Sequence, residues 1–187
     1  MAILGAVIVP HPPLIIPAVG RGREQEVQAT IDAYRTAAKQ VADWKPEVLI
    51  ITSPHQVMYA DYFHISPGRG ATGDMAAFGA SETKLRVEYD AQLRDEIIRC
   101  GESAGLQVGT LGQRDPYLDH GTFVPLYFLR EAGVDCPILR IGLSGFSPLD
   151  HYRLGQCIAQ AVENLGRRAV FIASGDLSHK LKDDGPY

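Results

Sequence analysis

The sequence is poor in cysteine: Cys100, Cys136 and Cys157 are the only three in 187 residues. Their number is odd and their spacing matches no zinc or redox motif, which argues against a disulfide framework and a thiolate metal site. Small buried hydrophobes are the simplest reading of all three. Positive charge is not in excess either. The 18 Lys and Arg residues stand against 22 Asp and Glu, for a net charge of -4. Nucleic-acid binding would want a basic patch or stripe, so no nucleic-acid partner is expected. Long apolar runs are missing as well. Those at 2–10 and 48–51 fall far short of the roughly 20 residues a membrane-spanning helix needs, so no membrane association is expected. No basic residue precedes the first apolar run, and Pro10-His11-Pro12-Pro13 is not a small-residue cleavage site, which argues against a signal peptide. The expectation is a cytoplasmic protein with one domain over residues 1–187. There is no Gly-x-x-x-x-Gly-Lys-Ser/Thr loop and no Gly-x-Gly-x-x-Gly after the first apolar run. In Gly142-Leu143-Ser144-Gly145-Phe146 the second glycine directly follows the serine, which is not the spacing of a nucleophile elbow.

What the chain does have is an alternation of apolar runs with amphipathic stretches. The run at 2–9 is continuously apolar, the pattern of a strand buried on both faces. A Pro/Gly-rich loop follows at 10–22. Val27, Ile31, Tyr34, Ala38 and Val41 recur at helical spacing within 24–44, and Pro46 ends that helix. Strands are expected at 48–52, 62–66, 85–89, 137–142 and 169–173. Helices are expected at 90–104 with Asp90 as N-cap, at 122–132 with Gly133 past its end, and at 148–165 with Ser147 as N-cap. The Gly- and Ala-rich stretch at 67–80 reads as a flexible loop, and 112–120 as a polar loop. Strands alternating with long helices predict an α/β fold: three layers, α/β/α, around a mainly parallel or mixed central sheet.

Four of the six histidines fall in polar or Gly/Pro-rich turns. His11, His55 and His179 each follow an apolar strand directly, and His120 sits in Asp119-His120-Gly121 just before a helix. Ligands in open α/β sheets bind outside the carboxyl ends of the strands, so parallel strands would open three of these loops on one edge. Imidazole is the commonest protein metal ligand and titrates near neutral pH. For any one of the four alone, a satisfied turn histidine is the better reading; three at matching strand ends favour a site. His64, inside an alternating run, and His151, near the start of a surface helix, read as structural. Asp119 could orient the neighbouring imidazole, and Asp176 could brace the loop that carries His179.

At these residues the sequence resembles the LigB-like family, the class III extradiol ring-cleavage dioxygenases and their Memo-like relatives. The matching stretches are Val9-Pro10-His11-Pro12-Pro13, Thr52-Ser53-Pro54-His55, Asp119-His120-Gly121-Thr122 with Val124-Pro125-Leu126, and Ser174-Gly175-Asp176-Leu177-Ser178-His179. The branch it looks most similar to is that of AmmeMemoRadiSam system proteins, where such a domain can be joined to a second domain in one polypeptide. The resemblance implies that His11 and His55 bind a non-haem Fe(II), with another divalent metal or none as alternatives. It implies that His179 is the acid/base catalyst and that His120 contacts substrate or oxygen. The implied partners are a small catecholic aromatic and O2, with room for a homo-oligomer. The implied reaction breaks the ring beside the diol. The family's third ligand is a glutamate well downstream of the Gly-Asp-x-Ser-His motif, and no acidic residue here occupies that position. On this resemblance the single LigB-like domain lacks its C-terminal part. A second reading from the same resemblance is a Memo-like metal- or peptide-binding protein without ring cleavage.

Overall fold

The computed structural model describes residues 3–176. Its centre is a parallel four-stranded sheet in the order β1 (Ile3–Val9), β8 (Ala169–Ser174), β2 (Val48–Ser53) and β7 (Ile138–Gly142). Parallel strands need crossover connections, and helices supply them. α2 (Gln28–Trp44) and α4 (His120–Glu131) pack together on one face, where Tyr34 stacks on Phe128 with ring centroids 4.4 Å apart. α3 (Ala91–Ser103) and α5 (Pro148–Asn164) pair with each other in the layer on the opposite face. Val48, Ile50, Leu139 and Val170 are fully buried between the layers. The expected three-layer α/β/α architecture is therefore observed.

Local chemistry sets two helix starts, those of α3 and α5, where the sequence placed them, whereas α2 begins at Gln28 and α4 at His120 instead of at 24 and 122. The Asp90 carboxylate accepts a hydrogen bond from the Leu93 amide, and the Ser147 hydroxyl accepts one from the Asp150 amide. Each satisfies a backbone donor that the first helical turn leaves unpaired. At the other end of α2, Trp44 folds its ring onto β1 over Gly5. A Cβ at Gly5 would lie 2.4 Å from that ring, so the strand has no side chain there.

Two expectations need correction. The run at 2–9 has the composition of a doubly covered strand, yet among the described residues β1 lies at the edge of the sheet. Ala6 is exposed and Ile8 is 66% exposed; composition alone does not distinguish an edge position from a central one. The stretch at 67–80 is not a structureless loop either. β4 (Gly70–Met75) pairs antiparallel with β5 (Ala80–Glu88), joined by a 3-10 turn at Ala76–Phe78. The glycines that suggested mobility permit close approach: a Cβ at Gly73 would lie 2.7 Å from Leu118 Cβ. The short β3 (Phe63–His64) and β6 (Val108–Gly109) form a third, parallel pair. A four-residue helix, α1 (Pro17–Gly20), interrupts the loop after β1. No helix among the described residues is long and apolar enough to cross a membrane.

Candidate metal centre

Three histidines converge at the carboxyl ends of β1 and β2 and the start of α4. His11 lies two residues past β1, His55 two residues past β2, and His120 is the first residue of α4. One ring nitrogen from each lies within 4.8 Å of the others. The His11 and His55 Nε2 atoms are 3.0 Å apart. The His55 and His120 rings lie 3.9 Å apart between centroids at an interplanar angle of 37°, and the His11 and His120 rings 5.4 Å apart. His11 is buried at the floor of the cluster, His120 is half-buried and His55 is exposed. The group thus has a solvent-facing side. The fourth sequence candidate, His179, lies outside the described residues.

Hydrogen bonds tie the loops that carry these rings. Asp119 caps α4 by accepting the Thr122 amide and the Thr122 hydroxyl. It also accepts the Ser53 hydroxyl, and Ser53 Oγ in turn accepts the His55 amide at 3.2 Å. The turn after β2 and the start of α4 therefore share one carboxylate, which positions His55 against His120. His11 Nδ1 lies 2.9 Å from Ser174 Oγ, at the end of β8, and the Ser174 hydroxyl donates to the Gly121 carbonyl. Asp176 Oδ1 faces the His11 amide at 3.4 Å and its Oδ2 stands 3.7 Å from His11 Nε2. Asp176 therefore braces the turn that carries His11.

Beneath the cluster is a residue that the sequence reading passed over. Arg140 of β7 is completely buried. Its guanidinium donates to Tyr89 Oη and to the backbone carbonyls of Asp115 and Tyr117, and one nitrogen lies 3.6 Å from the Asp119 carboxylate. It thereby clamps the 112–119 loop from below and neutralises the acid that caps α4. The signal was an arginine in the middle of the apolar run 137–142, since arginine is almost never fully buried without partners. His64 is buried in β3, and His151 binds the Ser147 carbonyl and Ser144 amide of its own turn. Neither joins the cluster, as expected.

Electrostatics keep the His120 ring uncharged at neutral pH. The pKa of His120 is lowered to about 4, first by burial and then by repulsion from His55 and His11, against a smaller opposing pull from Asp119 and Asp176. The pKa of His64 is also lowered, first by burial and then by Arg140. A neutral imidazole offers the lone pair a metal needs. The same shifts make a prediction for the metal-free protein. The unfolded state takes up protons near the ordinary histidine pKa of about 6.5, whereas the folded state resists protonation down to lower pH. Stability is therefore full above pH about 6.5 and is lost as pH falls toward 4. Urea unfolding at pH 7 and pH 5 should show a lower midpoint at pH 5, and His120→Gln should reduce that difference. Equal differences in both proteins would refute the assignment.

The donor set fits a divalent transition metal. Three imidazole nitrogens within 4.8 Å of one another are donors that such an ion would take. Imidazole suits zinc, copper, iron and nickel alike, so the donors fix a metal class and not one element.

Comparison with known proteins agrees with this architecture. A chain from Clostridium acetobutylicum, Protein CA_C1420, is 35% identical over the whole of this chain and 42% of its own length. The beta subunit of 2-aminophenol 1,6-dioxygenase from a Pseudomonas species is 26% identical over 95% of this chain and 63% of that one. A 2,3-dihydroxyphenylpropionate/2,3-dihydroxicinnamic acid 1,2-dioxygenase from Rhodococcus jostii is 27% identical over 90% and 54%. The chain thus spans roughly half the length of the curated relatives it matches. The crystal structure of the uncharacterized protein JW3007 from Escherichia coli K12 shares the fold, with a TM-score of 0.51 and 17% identity over 79% of this chain and 54% of that one. The family model for the catalytic LigB subunit of aromatic ring-opening dioxygenase matches residues 5–187, and by that match the chain belongs to the LigB family.

Proposed function

We propose that this chain carries the metal-binding half-site of an Fe(II)-dependent extradiol dioxygenase acting with O2 on a small aromatic ring. The observation that carries the reading is the convergence of His11, His55 and His120 nitrogens at one sheet edge. His11 and His55 are the proposed metal ligands, with His120 beside them. The printed names of two relatives specify 2-aminophenol and a 2,3-dihydroxyphenyl compound. Both are rings with adjacent heteroatoms, and that is the substrate class proposed here. The metal, when bound, would supply Lewis acidity and open positions for such a substrate and for O2.

The chain's own groups account for the rest. His120 is neutral at neutral pH and able to accept a proton or a hydrogen bond at the edge of the cluster. Phe78, at the tip of the β4–β5 hairpin, places its ring 5.4 Å from that of His120 in an edge-on arrangement and is 37% exposed. Arg21 anchors that tip by donating to the Gly79 carbonyl at 2.6 Å. An aromatic wall held in this way suits a planar ligand. His179 is the proposed acid/base. A further domain or a second copy of the chain is the proposed source of any additional ligand.

The test is direct. The protein is purified without oxygen, loaded with Fe(II) and mixed with a panel of catechols and 2-aminophenols. Oxygen uptake with formation of a yellow product is the expected result. Bound iron with no turnover of any ring would end the ring-cleavage reading. His11→Ala and His55→Ala should each abolish tight iron binding, and wild-type affinity in both would overturn the site.

A further inference from the structure

The geometry points to a second binding site on the outer face of the β4–β5 hairpin, one that takes the phosphate monoester of a small hydroxylated molecule. It stands apart from the proposed metal centre, since no histidine among the described residues lines it.

A cavity of about 710 Å³ opens between the base of the hairpin, the start of α3 and the 112–119 loop. That size suits a small metabolite. Strand register decides which side chains share it. Thr72 stands opposite Arg86, and Gly70 opposite Glu88. Directly opposed residues of an antiparallel pair project on one face, and so do residues two apart along a strand. Thr72, Arg86 and Glu88 therefore face the same way, and Gly70 leaves a gap across from Glu88. Arg69 borders that gap. Among the described residues neither the Arg69 nor the Arg86 guanidinium has an ion-pair or hydrogen-bond partner, and Glu88 is the only acid in the lining. Elsewhere on the surface Arg35, Arg99, Arg153 and Arg167 each pair with a carboxylate. In a chain of net charge -4, two uncompensated arginines on one cavity are a local feature, not a general basicity.

The walls are preformed. Tyr89 lines the floor; its Oη accepts from Arg140 and its amide donates to the Arg69 carbonyl. Arg140 also holds the carbonyls of Asp115 and Tyr117, on either side of Pro116 at the rim, and the Pro116 carbonyl accepts the Thr72 amide. A preformed cavity loses less freedom on binding. The donors set the ligand class. A guanidinium fork matches an oxyanion, and one arginine satisfies the single charge and two oxygens of a carboxylate. Two arginines and the Thr72 hydroxyl match the near-double charge and three terminal oxygens of a phosphate monoester. Glu88 repels a bare phosphate but accepts a hydroxyl from an organic part, and so favours the ester over the free ion.

The test titrates the metal-free chain with glycerol 3-phosphate, inorganic phosphate and sulfate at low salt, by calorimetry and by amide NMR. Glycerol 3-phosphate should bind saturably and more tightly than inorganic phosphate, with amide shifts centred on 69–72 and 86–89. Arg69→Gln and Arg86→Gln should each weaken it about 10–100-fold, the range of a lost hydrogen bond to a charged group. Glu88→Gln should abolish the preference for the ester over inorganic phosphate. All three side chains are exposed, so the variants should keep the wild-type unfolding midpoint. No saturation with either phosphate probe, equal binding of sulfate, shifts centred on the turns that carry His11, His55 and His120, or wild-type affinity in both arginine variants overturns the inference. An unchanged preference in Glu88→Gln overturns the choice of an ester.

Discussion

Arg140→Met is expected to destabilise the protein by about 3–5 kcal/mol, the usual cost of removing one partner from a buried ion pair. Methionine fills much of the volume, so the loss is one of charge and hydrogen bonds. Tyr89 Oη would lose a donor in a buried setting, and the carbonyls of Asp115 and Tyr117 would each lose one in a partly buried setting. The Asp119 carboxylate would keep Ser53 and Thr122 but lose its only nearby cation among the described residues. Because Asp119 caps α4 and steadies the turn before His55, metal affinity should fall together with stability. Arg140→Lys should recover only part of either, since one ammonium cannot reproduce the forked geometry of a guanidinium. Denaturant unfolding of the metal-free proteins, with a Co(II) titration beside it, gives both readings. A loss below about 1 kcal/mol, in the range of an exposed ion pair, would show that Arg140 does not organise the site.

The sequence made the layers and the histidine loops legible because both depend on short-range rules. Apolar runs of five or six residues bounded by turn residues became β2, β7 and β8, and the Asp90 and Ser147 caps sit where their spacing put them. His11 and His55 were expected on one edge if the strands before them ran parallel, and β1 and β2 do both pair parallel with β8. What the sequence did not disclose depends on contacts between distant segments. The edge position of β1 follows from strand order, which its composition does not encode. The β4–β5 hairpin is held at its base by Leu118, whose amide donates to the Thr72 carbonyl 46 residues earlier in the chain. The Arg140 clamp and the Ser174 bridge join residues that are 21 or more positions apart, so no local pattern announces them. The glycines at 68, 70 and 73 suggested freedom when read alone, whereas Gly73 is required by the neighbour it touches.

Gly121→Ala reverses an ordinary rule, and that makes it a sensitive probe of the site. Within a helix, alanine is favoured over glycine by about 1 kcal/mol. Gly121 is the second residue of α4, so on propensity alone the substitution should stabilise the protein. Its added Cβ, however, would lie 2.4 Å from Ser53 Oγ, 3.1 Å from an Asp119 carboxylate oxygen and 3.2 Å from His55 Cδ2. Ser53 cannot move aside cheaply, because its hydroxyl is bound to Asp119 and its oxygen accepts the His55 amide. Overpacking of this kind costs about 1–3 kcal/mol, which exceeds the propensity gain. A net loss of stability is therefore expected. The larger effect should fall on the cluster. Pushing α4 away from the β2 turn separates His120 from His55 and also shifts the Gly121 carbonyl that binds Ser174. A displacement near 1 Å at a positioned group can cost about 100-fold in function, and a drop of that order is expected in Co(II) affinity. Unfolding midpoints and Co(II) titrations of the two proteins decide the matter. A raised midpoint with unchanged affinity would mean that helix propensity wins and that the close approach of α4 to β2 does not set the histidine geometry.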